Sequence, residues 1–166
     1  EGLPGPSGQA LMDYVMDIDP YTEWGTFPNS QWNAYDAPLK SGRPHGKMVR
    51  IFVNDIGLES AANGDVETSG GFAAGTILVK ENYSGEDEGD LGELTMLTIM
   101  YKMKGYDAWI ESCTNQGNDW FWAKGLKDGS IAKVDIPGGT PMELSGKMDA
   151  QCQNCQIDPY DLNKGL

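Results

Sequence analysis

Apolar residues along the chain follow two different rhythms, and the switch between them divides it. Between residues 8 and 18, in "ALMDYVMDI", Ala10, Leu11, Tyr14, Val15 and Ile18 recur at the spacing of one face of a helix. Ser7 stands where an N-cap belongs and Pro20 lies just beyond the end, so an amphipathic helix is predicted over residues 8–18. The following stretch, "YTEWGTFPNSQWNAYDAPLKSGRP", is too rich in Gly, Pro and Asn for regular structure, and its Trp24, Phe27 and Trp32 are expected to pack onto the body of the domain.

From residue 47 the period becomes two. "KMVRIFVND" puts Val49, Ile51 and Val53 on one face of a strand, and "TILVKENY" does the same with Ile77 and Val79. "ELTMLTIMYKMK" is apolar on both faces, Leu97, Ile99 and Tyr101 opposite Met96 and Met100, which predicts a central strand. "NDWFWAKGL" and "SIAKVDI" complete a set of five, with "KDGS" as the turn between them, and "IGLESAAN" offers a short second helix. The predicted class is α+β: an antiparallel sheet of about five strands with flanking helices. A chain of 166 residues is one domain, and a domain of that size buries roughly 70% of its unfolded surface.

The net charge of −13 argues against nucleic acid and anionic membranes as partners. No apolar run is long enough to span a bilayer, so membrane insertion is not expected. A first residue of Glu1 rather than Met suggests a processed product, mature after loss of a signal peptide and periplasmic or extracellular.

The candidate chemistry is sparse. The acidic run "SGEDEGDLGE" carries Glu86, Asp87, Glu88, Asp90 and Glu93 without the spaced pattern of a calcium loop, and reads first as a solvated hairpin tip. His45, the single histidine, sits in "GRPHGK" and has no nucleophile placed to work with it, which leaves a plain surface histidine or a ligand. Alternation puts Lys80 on the face of Leu78, away from Ile77 and Val79, either in solvent or in a pocket on the sheet's second face. The three cysteines are Cys113, Cys152 and Cys155, the last two in "CQNCQ". A zinc site with His45, a redox pair, a disulfide and haem attachment all fit that spacing; the first lacks paired knuckles and the second lacks a strand and helix around it.

Taken in order, "PHGKMVRIFVND", "GTILVKENY", "LTIMYKMKGYD", "DWFWAKGLKDG" and the late "CQNC" resemble the cytochrome P-460 family, which includes relatives of the cytochrome c′-beta type. The resemblance spans most of residues 45–156, with "YTEWGTFP" an upstream match, and leaves residues 1–44 as the helix and aromatic loop. It implies an exported antiparallel-sheet domain, commonly a homodimer, with one haem c held by Cys152 and Cys155 and acting on a small ligand or with a redox partner protein. It further implies hydroxylamine- or nitric-oxide-related chemistry: members of the hydroxylamine-oxidising branch also cross-link a lysine to the haem, and Lys80 falls on that strand, whereas the c′-beta branch lacks this lysine and binds nitric oxide or carbon monoxide instead. Gln156 stands where the family has its proximal histidine, and an amide oxygen is a poor ligand for haem iron. A fifth ligand would then come from His45, Met142 or Met148. The alternative is a haem-free, disulfide-stapled binding or structural module, with side chains filling the space of the haem.

Overall fold

A computed structural model describes residues 2–25, 39–40, 48–64, 71–87, 89–106 and 119–146. The first helix, α1 (Gly8–Asp13), is capped by Ser7, whose hydroxyl accepts from Ala10 N. At Tyr14–Ile18 the helix widens into a π turn closed by Asp19 N donating to Tyr14 O. Each residue of a π turn advances less than 100° around the axis, so the apolar stripe drifts. Leu11, Met12, Tyr14 and Val15 are therefore buried, whereas Ile18, expected on the same stripe, is 51% exposed. Asp19 ends the turn by accepting from Trp24 Nε1 and Tyr14 Oη, which folds the chain back into a 3₁₀ turn at Tyr21–Glu23.

The sheet is antiparallel, in the order β1 (Leu39–Lys40), β2 (Met48–Val53), β3 (Ile77–Tyr83), β4 (Leu94–Lys102), β5 (Trp120–Gly125) and β8 (Ser145–Gly146). The four long strands β2–β5 are those expected from their alternation, and β4 is central. "SIAKVDI" behaves differently. The chain does reverse at 126–130, where Leu126 N donates to Ser130 O, but only Ile131 bridges Gly125. The segment then leaves the sheet and forms β6 (Lys133–Val134) with β7 (Met142–Glu143), a separate two-stranded ribbon. β8 takes its place beside β5, Ser145 opposite Ala123.

Residues directly opposite each other in an antiparallel pair share a face, so the register assigns every side chain. Phe52 lies opposite Val79, Val79 opposite Ile99, and Ile99 opposite Ala123; this row and its neighbours Ile77, Tyr101 and Phe121 make the first face. α1 and the π turn cover it with Leu11, Met12, Tyr14 and Val15. Gly125 lets α1 come close, since a Cβ there would lie 2.6 Å from Met12 Sδ.

The apolar set of β2 lies on the opposite side. Ile51 is opposite Lys80 and Val53 opposite Leu78, so Val49, Ile51 and Val53 belong to the second face and not to that of Ile77 and Val79. Both faces are thus covered. Over one end of the second face lies α2 (Asp55–Ala62), packing Leu58 and Ala61 against Ile51, Val53 and Leu78, with Phe72, Met100 and Trp120 alongside. Asn54 fixes the start of α2 by accepting from Gly57 N and Ile77 N through Oδ1 while its Nδ2 donates to Gly75 O.

One polar group is sunk into the first face. Glu81 accepts from Tyr21 Oη at 2.9 Å and from Tyr83 Oη at 2.6 Å, tying the 3₁₀ turn to β3. Tyr21 also meets the ring of Phe52 edge-on at 5.2 Å. Burial and then the charge of Glu81 raise the Tyr21 phenol well above its ordinary range. The Tyr83 phenol is pushed up to about 12, by burial first and by its bond to Glu81 second.

Two outcomes follow from this packing. A phenol whose folded pKa is raised stabilises the fold fully below the unfolded value near 10 and loses that contribution as pH rises through the folded value. Urea midpoints recorded from pH 9 upward should fall between about 10 and 12, and Tyr83→Phe should flatten part of that fall. Gly57→Ala should destabilise by about 1–3 kcal/mol in urea unfolding although alanine is the better helix former, because overpacking outweighs propensity. Its Cβ would lie 2.5 Å from Val53 Cγ1 and 2.8 Å from Thr76 Cγ2, both on stiff branched side chains.

Candidate functional site

On the second face, beyond the apolar end under α2, the rows turn polar. Ile51, Lys80, Thr98 and Lys124 form one cross-strand row, and Val49, Asn82 and Met96 form the next. Lys80 and Thr98 are each 5% exposed and Asn82 is 0% exposed. A strand buried on both sides normally carries apolar residues throughout, so three buried polar side chains on adjoining positions of β3 and β4 are the exception in this sheet.

Asn82 is held tightly. Its Nδ2 lies 3.1 Å from Lys80 O, 3.2 Å from Met96 O and 3.2 Å from Thr98 Oγ1. The amide cannot turn over, because its oxygen would then face two carbonyl oxygens. Beside it the pairing slips: Asn82 is opposite Met96 but Tyr83 is opposite Leu94, leaving Thr95 as a bulge whose hydroxyl donates to Asn82 O. The result is a fixed, buried Oδ1 with no hydrogen-bond partner among the described residues. Leaving such an acceptor unmatched costs about 1–3 kcal/mol.

Among the described residues two other buried atoms are unmatched, Thr76 Oγ1 and Arg50 Nε. Thr76 sits at the entry to β3 against α2, and Arg50 is opposite Glu81 on the first face.

Of the residues singled out from the sequence, the structure places Lys80 in this polar row. Cys113, Cys152, Cys155, Gln156, His45 and Met148 lie outside the described residues. Met142 is on β7, opposite Val134 in the small ribbon, 54% exposed and not on the sheet that carries Lys80. The acidic run forms the β3–β4 turn. There Asp87 Oδ1 accepts from Gly89 N and Asp90 N, and Asp90 Oδ1 from Gly92 N, so these carboxylates serve the turn's own backbone. Among the described residues no three His, Cys, Asp or Glu side chains come together as a metal site.

Sequence reasoning passed over Asn82 and Thr98. The available signal was an asparagine two positions after Lys80 inside a strand, where asparagine is a poor fit.

The two threonines separate a used hydroxyl from an unused one. Thr98→Val should cost about 0.5–1.5 kcal/mol, since it removes an acceptor from Asn82. Thr76→Val should leave stability unchanged or raise it, because it removes an unmatched hydroxyl without changing the shape. Urea unfolding of the two variants side by side measures the contrast.

Neither a comparison with protein-family models nor one with curated proteins finds a match for this chain.

Proposed function

We propose that the protein is an exported, P-460-like c-type haem protein that binds a small ligand or performs redox chemistry on a nitrogen species, passing electrons to a partner protein. The order of its sequence motifs supports the reading, and one structural observation carries it: Lys80, which falls on the strand that bears the cross-linked lysine in the family's hydroxylamine-oxidising branch, is buried on the second face of the sheet. Ile51, Leu78 and Met100 on the same face pack with α2 and Trp122 is buried, so among the described residues these apolar positions are filled core and form no cleft for a flat group.

In this reading Cys152 and Cys155 would hold the haem through two thioethers and Lys80 would fix its edge. The group would supply one-electron chemistry and an axial position for a small ligand. What the chain itself contributes is exclusion of water: at 5% exposure, Lys80 and Thr98 lie away from solvent. With Gln156 a weak donor, His45 would be the protein's imidazole for the iron.

The native protein should show a Soret band that survives acid–acetone extraction. A digest should yield a haem peptide carrying two chain segments, one with Cys152 and Cys155 and one with Lys80. A haem peptide with the cysteine segment alone removes the cross-link. A colourless protein overturns the haem reading and leaves the disulfide-stapled module. Intact mass before and after reduction and alkylation then reads the pairing, one free thiol of three meaning a single disulfide.

A further inference from the structure

We propose that Asn63, at the C-terminal end of α2, is a site of spontaneous deamidation, and that the closed last turn of the helix sets its rate. Asn63 and Gly64 form the one Asn-Gly pair in the sequence. Glycine has no side chain to screen its own nitrogen, so this pair cyclises more readily than other asparagine pairs. The co-reactant is water. The Gly64 nitrogen, after losing its proton to base in the solvent, bonds to Asn63 Cγ, while Nδ2 takes up a proton and leaves as ammonia. Water then opens the five-membered imide at either carbonyl, giving aspartate or an isoaspartate whose backbone is one methylene longer.

The structure singles out this asparagine. Among the described asparagines, Asn54 and Asn82 are buried with their amides held by hydrogen bonds, whereas Asn63 is exposed. A Cβ on Gly64 would meet no described atom within 4 Å, so the attacked amide lies open to solvent. What restrains the reaction is the backbone. Asn63 N donates to Glu59 O at 3.0 Å and Gly64 N donates to Ala61 O at 3.1 Å, with Gly64 in the left-handed conformation, φ 74°, that closes a helix. The nucleophile is therefore a nitrogen already engaged as a donor, and it is freed when the last turn opens. Helix ends open more easily than helix middles.

The product is unfavourable where it forms. A new carboxylate at position 63 meets the negative end of the helix, and α2 carries no basic residue in its last turn. It also follows Glu59 by four residues, a like-charge pair on one helical face. This turn holds α2 in place: Ser60 Oγ accepts from Ala73 N at 3.0 Å, and Ala61 packs with Ile51, Val53 and Leu78. Deamidation thus loosens α2 over its end of the second face, and the opening that admits the reaction becomes more frequent once the reaction has occurred. None of this depends on haem, because every group involved belongs to α2 and its immediate contacts.

The test ages the full chain in mildly alkaline buffer, folded and in urea, and follows each asparagine by peptide mapping. Position 63 should convert first in both, at least about tenfold faster in urea, where the last turn no longer holds Gly64 N. Gly64→Ala should slow conversion in urea as well. In Asn63→Asp the backbone amides of Gly64 and Ala73 should exchange hydrogen severalfold faster than in the wild type, and in Asn63→Ser, which adds no charge, they should not. Conversion at another asparagine first, or a folded rate equal to or above that in urea, would overturn the proposal. Unchanged exchange in Asn63→Asp would overturn the loosening of α2. Should that variant not fold, the converted fraction of aged wild-type chain, separated by its extra charge on an ion exchanger, gives the same reading.

Discussion

The structure depends on β3 being buried on both faces. Of its seven residues only Tyr83 is partly open, so a strand in the middle of the chain must satisfy two different packings at once. Toward the N-terminal helix it offers Ile77 and Val79, and toward α2 it offers Leu78. Its polar residues then have to be matched internally because water cannot reach them. Glu81 is matched by two phenols, and the Asn82 amide nitrogen by three acceptors. The unmatched remainder, among the described residues, is a single amide oxygen packed in the interior.

Asn54 makes the comparison concrete. It too is a buried asparagine at a junction of elements, and it uses both ends of its amide: Nδ2 on Gly75 O, Oδ1 on Gly57 N and Ile77 N. Its role is complete as a helix cap and strand tie. Asn82 has the same chemistry and an equally fixed amide, but only half of its capacity is used.

The long strands were legible because alternation needs no partner: Val49, Ile51 and Val53 announce a strand wherever it pairs. Which face they occupy was not legible, since register decides it, and the register sets Ile51 beside Lys80 and so opposes it to Val79. The same reason hid the site. Lys80 could be placed by counting along one strand, whereas the clamp on Asn82 comes from Met96 O and Thr98 Oγ1 on the next. The helix was read one turn too regular because nothing in "YVMDI" signals a π turn, whose closing bond depends on Asp19 being held by Trp24. The strand expected at "SIAKVDI" gave way to Ser145–Gly146 because Lys133 and Val134 pair with Glu143 and Met142 instead.

The bond between Tyr21 and Glu81 joins residues 60 positions apart. Contacts of that span form late, after the loop-closure entropy between their ends has been met by other interactions. Release of residues 8–25 would bare the row from Phe52 to Ala123. The carboxylate that fastens the segment is a neighbour in sequence of both Lys80 and Asn82, on the other side of one strand. Any movement of β3 that loosened the fastening would be felt at Lys80 and Asn82 on the second face as well, because one buried strand carries all three residues.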